Sequence, residues 1–409
     1  MSIKKILFIC DAIPANSFSG YQTYNHAFIS SLTTQGHQVC LIVTGNSFTS
    51  PIFKLSNITG INSIESKFKN ARQLYNDIYL ISIISLAKLV YRKAGVFKKL
   101  IYGIQSKLKN KKTSNAHIGK WLTRGQLTFI NSEIENQSPD VVFVDTIFRA
   151  PNFPSIKGSF TKILIGHDVF YERCESFAKQ NKEPIPNVDI RKEASIVGGF
   201  DTVIAISEND EKLYKAMSPA TTTITLSAPI SPQTSMPIKR DTQQILYIGS
   251  NAHHNVDGLR WFLMEIWPKV KLTNPKLTLN VVGNVSSSFN GNFSDVIFHG
   301  RVQDIAPIAN KAMFAINPVR IGSGMKIKIL AYFAYGLPCI TTSLGAAGFP
   351  EVENTPISAC DSVESFANGV IEWSGNPVKC SELSKYAVAF TAHFDADNFD
   401  QKLMSLVSN

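Results

Sequence analysis

Short apolar runs separated by polar or glycine-containing turns recur along this chain. Lys4–Cys10, Gln38–Val43, Val141–Asp145, Lys162–Ile165 and Thr202–Ile206 are compact and apolar enough to be strands buried on both faces. Between them, Tyr24–Gln35 and Gly125–Asn136 space their apolar residues as helices do. Strands alternating with helices predict a parallel sheet. Thr221–Leu226 reads as a further strand. Residues 227–244 contain three prolines and read as a linker. The alternation then restarts with strand Ile245–Ile248, helix Gly258–Lys271, and strands Lys276–Val282 and Val296–His299. A short helix Ile305–Ala312, strand Phe314–Val319, helix Met325–Tyr335 and strand Cys339–Thr342 follow. Gly336 stops the last helix and Pro338 prevents its continuation.

The expected fold class is α/β, with two Rossmann-like domains facing a central cleft. Residues 1–226 form the first, with a basic insertion at about 50–120. Residues 245–390 form the second, and 391–409 hold a final helix, about Asn398–Val407, that crosses back. In parallel sheets ligands gather at the carboxyl ends of the strands. The segment Arg320–Pro350 fits that expectation most directly: Gly322, Ser323 and Gly324 turn the chain from a strand into a helix. Free N–H groups and the helix dipole make such a start an anion site. Arg320, Lys326 and Lys328 add positive charge. A diphosphate-bearing ligand is the natural occupant. The spaced GxGxxG fingerprint and the P-loop are both absent.

Several segments in order resemble GT-B glycosyltransferases of the family 4 / group 1 type. They are Gly322-Ser-Gly-x-Lys-x-Lys-x-Leu330, Gly336-Leu-Pro338, and Thr341-Thr-Ser-x-Gly345-Ala-x-Gly348. Upstream, Phe298-His-Gly-Arg-Val-Gln-Asp304, Phe200–Asp210, and Ser19-Gly20 before a helix ending at Gly36-His37 extend the resemblance over most of the chain except about 45–127. It implies that Gly324, Met325, Lys326 and Arg320 meet the donor diphosphate, with Gly20 and Gly249 approaching by their backbones. It also implies that Arg301 and Val302 hold the nucleobase and that His167, at a strand end, contacts the donor sugar. The family often carries Glu-x7-Glu here, and this chain has Ser323 and Ala331 instead. That departure opens the sugar, the ribose partner and the stereochemistry. It also keeps two alternatives open: a GT-B protein that binds without catalysis, and a nucleotide-sugar epimerase or hydrolase.

Strand ends supply the candidates for acid–base work. His167 and Asp168 follow one strand, Asp145 closes another and Asp11 follows the first. His253 and His254 follow strand Ile245–Ile248, and His253 is a donor-contact candidate. Asp304 reads as a helix cap. Asp395-Ala-Asp397 spells the metal-binding Asp-x-Asp of other glycosyltransferases but sits in the tail, where it reads as surface charge. No metal is expected and no cofactor; the nucleotide-sugar is a substrate.

Charge changes the picture in one region. The chain of 409 residues carries a formal net charge of +10. Residues 1–120 hold 16 Lys/Arg against 3 Asp/Glu, and the remainder 25 against 28. The excess lies mostly between Lys67 and Lys120, which points to an anionic surface. Ile78–Tyr91 followed by Arg92, Lys93, Lys98 and Lys99 reads as a basic amphipathic helix lying on an anionic membrane through 67–112. It is too short to span a bilayer. No nucleic-acid motif accompanies it. Six scattered cysteines fit free thiols in a cytoplasmic protein. Lys4–Lys5 precede only a strand-like run, so no leader is read. The expected partners are a nucleotide-sugar and a saccharide or lipid-linked acceptor.

Overall fold

The computed structural model describes residues 2–14, 20–44, 115–151, 158–233, 240 and 243–408, with short strands at 52–54, 63–66, 72–75 and 78–80. The first sheet comprises β1 (Lys5–Cys10), β2 (Gln38–Val43), β3 (Ser63–Ser66), β4 (Val141–Asp145), β5 (Thr161–Gly166), β6 (Thr202–Ala205) and β7 (Thr222–Thr225). Its order is β7-β6-β5-β4-β1-β2-β3, parallel throughout. β1, β2 and β4 are buried along almost their whole length, as continuous apolar runs require when helices cover both faces. The helices are α1 (Gly20–Thr34), α2 (Arg124–Gln137), α3 (Phe170–Ala178), α4 (Ile190–Val197) and α5 (Glu208–Met217). A capping box formed by Thr123 and Gln126 starts α2.

The second sheet comprises β8 (Gln244–Ile248), β9 (Thr278–Val282), β10 (Val296–Gly300), β11 (Phe314–Asn317), β12 (Cys339–Thr341) and β13 (Ile357–Ala359). Its order is β10-β9-β8-β11-β12-β13, again all parallel. The helices are α6 (His253–Trp261), α7 (Trp267–Thr273), α8 (Ala306–Ala309), α9 (Ile327–Ala334), α10 (Ser343–Ala346), α11 (Val363–Gly375), α12 (Pro377–Phe390) and α13 (Ala396–Ser408). The single helix expected over Gly258–Lys271 starts five residues earlier and is broken by a π-helical turn at Phe262–Ile266. Pro268 explains the break: it lacks the N–H that a continuous α-helix would need there.

Both sheets reverse their winding once, between β1 and β4 and between β8 and β11. Loops leaving such a switch point diverge and open a crevice at the carboxyl edge. Asp11 and Asp145 stand at the first crevice, Gly249 and Pro318–Arg320 at the second.

One apolar cluster runs through both halves, from Phe8, Phe28 and Phe143 to Leu246, Phe333 and Phe390. α13 lies on α1, where Phe399 meets Phe28 at 5.1 Å and Tyr24 at 6.4 Å. The connection between the sheets is stitched down: Ile230 N–H donates to the Phe394 carbonyl and Gln233 N–H to the Ala334 carbonyl. Arg240 donates to the carbonyls of Ala309, Ala312, Tyr335 and Gly336, closing the ends of α8 and α9.

The amphipathic helix expected from Ile78 does not begin there. Ile78–Leu80 is a strand paired antiparallel with Ile52–Lys54 and Arg72–Tyr75. Residues 81–114, with most of the basic stretch, lie outside the described residues. No helix among the described residues is long and apolar enough to cross a membrane.

Candidate functional site

β4 and β5 are neighbours in register, with Asp145 opposite Ile165. The residues just past their ends therefore meet. His167 Nε2 lies 2.5 Å from Asp145 Oδ1; Asp145 is buried and His167 partly so. Burial alone would raise the Asp145 carboxyl, but His167, Arg149 and Asn25 beside it hold it below its usual value. The other ring nitrogen, His167 Nδ1, is buried without a partner among the described residues. Tyr24 presents a ring edge to the imidazole at 5.3 Å. Arg149 reaches Asp11 at 3.4 Å and the Lys120 carbonyl at 2.7 Å, so it ties the end of β1 to the Asp145 side.

Asp168 faces the other way, into the second domain. Its carboxylate pairs with Arg173 of α3 and accepts from the hydroxyl of Ser323, which also donates to the Val169 carbonyl at 3.2 Å. Gly324 has φ of +63°, and a Cβ there would lie 3.1 Å from Asp168 Oδ1 and 3.3 Å from the His167 carbonyl oxygen. Only glycine allows both that backbone and that approach. One residue earlier, Gly322 N–H donates to Ser176 Oγ of α3 at 2.9 Å. The glycine loop thus rests on the His167–Asp168 strand end and on α3.

Lys326 stands immediately before α9, not within it as expected, and its ammonium folds onto the Ser323 and Gly324 carbonyls at 2.7 and 2.5 Å. Burial lowers its pKa to about 8. Lys328, two residues on, points elsewhere: it donates to Asn255 Oδ1 at 2.5 Å, lies over the Tyr247 ring, and burial lowers it to about 7. It joins α9 to α6. Gly20 opens α1 against the start of α9, where its Cβ would lie 3.3 Å from Ile327 Cβ. Two helix N-termini, one from each domain, therefore converge on the loop.

The remaining candidates are more dispersed. Arg320 donates to Asp257 at 3.0 Å and lies over Trp261, and Lys182 of the first domain shares Asp257 at 2.6 Å. Met325 is buried and packs beneath Gly348. Gly249 is buried where β8 ends. His253 opens α6 and turns a ring edge to Phe177 of α3 at 5.7 Å. Arg301 is exposed and Val302 packs partly against the shared core. Asp304 stands one residue before the Ile305 cap position of α8, not at it as expected, and accepts from Ala306 N–H; Asp395 accepts from Asn398 N–H at the start of α13.

Sequence reading missed Arg149, Arg173, Ser176, Glu193 and Asp210. Glu193 is fully buried and accepts from the N–H groups of Phe170 and Tyr171, capping α3 from α4. Burial raises its carboxyl to about 7. A signal existed: Glu193 shares the helix face of Ile196 and Val197, three and four residues on, where an acid is out of place. Asp210 sits behind the Ser207 cap of α5. The others are ordinary polar helix and loop residues whose partners are remote in the chain.

Residues 242–376 match the family model described as Glycosyl transferases group 1. An uncharacterized 44.6 kDa protein in the cps region of Klebsiella pneumoniae is 25% identical over 170 residues, 39% of this chain and 43% of that protein. The match thus spans less than half of that relative's length. Among solved structures, a point mutant of S. aureus TarM, in complex with fondaparinux, alpha-GlcNAc-glycerol and UDP, superposes with a TM-score of 0.66 at 11% identity over 100% of both chains. Sucrose-phosphate synthase from Thermosynechococcus elongatus gives 0.66 at 13% identity over 98% of both chains. Anabaena HepE with UDP and glucose gives 0.64 at 13% identity over 99% of this chain and 100% of that one. These likenesses establish the fold as GT-B.

Proposed function

We propose that this chain, a GT-B protein whose residues 242–376 match the group 1 glycosyl transferases, moves a sugar from a nucleotide-sugar donor to a saccharide or lipid-linked acceptor. One observation carries the reading. The glycine loop and the start of α9, a site for a diphosphate, lie against the strand end that bears the His167–Asp145 pair. Donor phosphates and an acid–base group are thereby brought to one cleft. Solved structures of the same fold hold UDP with glucose or with alpha-GlcNAc-glycerol.

In this reading Lys326 releases its loop carbonyls and neutralises the leaving diphosphate, helped by the α9 and α1 N-termini. Arg320, steadied by Asp257, adds a second cation. Gly249, Arg301 and Val302 serve the nucleoside side, Met325 and Gly20 shape the loop's surroundings, and His253 borders the donor. His167 orients the acceptor hydroxyl or takes its proton, and Asp145 holds the imidazole. With these cations the transfer proceeds without a metal, so chelator treatment leaves turnover unchanged.

The cps-region relative supports a place in surface glycan assembly. The basic stretch 67–112 then docks the protein at the anionic inner face of a membrane, from the cytoplasmic side. Ala331 in place of an acid favours one alternative, binding without transfer. Turnover decides between them: release of nucleoside diphosphate that depends on added acceptor supports transfer. Nucleotide-sugar binding with no release supports binding alone, and release without acceptor supports hydrolysis.

A further inference from the structure

Between the domains, bordered by the glycine loop, is a cavity of about 300 Å³. That places it at the small end of ligand pockets. Its wall joins Glu172 and Glu175 of α3 and Asp210 of α5 to Arg320 and the loop Gly322–Gly324. The same loop that would carry the diphosphate at α9 is thus one side of this space.

Asp210 distinguishes the cavity. It is 1% exposed, and its Oδ2 has no hydrogen-bond partner among the described residues. A buried carboxylate oxygen without a donor is costly, and a hydroxylated ligand would satisfy it. Burial, with Asp168 nearby, raises this carboxyl to about 7, so it can accept or donate near neutrality. Glu172 and Glu175 bring further carboxylates to the wall. Arg320 opposes them and shares the Asp257 carboxylate with Lys182. Among the described residues Lys179 is the other cation lining the space, and the Lys326 ammonium behind the loop also acts on Asp210.

We propose that Asp210 reads the hydroxyls of the transferred glycosyl group and that this cavity admits an uncharged or amino-bearing sugar and excludes a uronic acid. This rests on the nucleotide-sugar reading above and deepens it by naming the sugar class and its specificity residue. A sugar carboxylate would meet the three acidic side chains Glu172, Glu175 and Asp210 against Arg320 and Lys179, and like charges so placed repel. A neutral sugar offers Asp210 the donors it lacks.

Calorimetric binding tests it, with UDP, UDP-glucose and UDP-glucuronate as one series and GDP, GDP-mannose and GDP-mannuronate as a second. In the series whose base the protein accepts, the hexose should tighten binding over the bare diphosphate. The uronate should bind at least about tenfold more weakly than the hexose. Asp210→Asn should lose most of the hexose increment, about tenfold, while binding the bare diphosphate as wild type does. Asp210→Asn is isosteric, and its melting temperature checks that it folds. Glu172→Gln, on the more open wall, should recover part of the uronate affinity. Equal binding of hexose and uronate, or an unchanged hexose increment in Asp210→Asn, overturns the proposal and leaves the donor reading standing. Binding of none of the six ligands overturns both.

Discussion

His167 Nε2 and Asp145 Oδ1 lie 2.5 Å apart, joining the ends of two neighbouring parallel strands. The bond presents one ring nitrogen to a buried carboxylate and leaves Nδ1 without a partner among the described residues. Orientation of the ring is thus a property of the sheet, because the adjacent strands carry both groups.

If the pair acts as a unit on the acceptor, its two members are not additive. His167→Ala should lower kcat by about a hundredfold to a thousandfold, and Asp145→Asn by less. The double variant should be no slower than His167→Ala alone. Steady-state kinetics at saturating donor check this. A double variant slowed by the product of the two single effects would mean independent roles.

Lys326 should give donor binding a pH dependence. Its pKa is lowered to about 8 by burial, so the ammonium is present below that pH and lost above it. Affinity for the nucleoside diphosphate should be highest below about pH 8 and weaken as pH rises through that value. Lys326→Ala should weaken binding by about tenfold to a hundredfold at neutral pH and remove this dependence. Calorimetry across neutral to alkaline pH measures both effects.

Glu193 should make the fold less stable as pH rises through neutrality. Its folded pKa is raised to about 7 by burial, against 4.5 for a free glutamate. The folded protein therefore holds a proton that the unfolded chain has released. That contribution is complete below the unfolded value and is lost as pH rises through the folded one. Its full extent is about 3 kcal/mol. Glu193→Gln should flatten the melting temperature between about pH 5 and about pH 8. Asp210, raised to about 7 in the same direction, keeps some slope. An unchanged pH profile in the variant would show that Glu193 does not hold the proton.

Arg240 should prove a structural clamp, because its guanidinium serves four carbonyls at the ends of two helices. Arg240→Ala should destabilise the protein by about 2–4 kcal/mol. Arg240→Lys should recover little, since an ammonium cannot reproduce the planar fork. Denaturant titrations of the three proteins compare them. A neutral alanine variant would show that water replaces the guanidinium.

Much of the architecture was readable because the strands are buried on both faces. Runs such as Leu7–Cys10 and Val141–Val144 have almost no exposed surface, so their apolar character is continuous and unambiguous. β13 and the π-helical turn were not read. β13 is a short edge strand with partly exposed residues, and the turn depends on how one proline is absorbed within a longer helix. The loop Gly322–Gly324 was legible because glycines at a strand-to-helix junction announce a tight turn. Its partners were not: Ser176 and Asp168 precede it by 146 and 155 residues.

The amino-acid sequence by itself determined the alternation of strands and helices and the placing of polar residues at strand ends. These follow from local periodicity and from backbone limits at glycine and proline. Only the tertiary structure decided which strand ends are neighbours, and so which side chains meet. It turned Asp145 toward His167, gave Asp168 to Ser323 and Arg173, directed Lys328 into the core, and left Asp210 with an unsatisfied oxygen in an interdomain cavity. The physical reason is that hydrogen bonding and charge pairing depend on distance in space, which strand order and domain closure set, and local spacing does not encode.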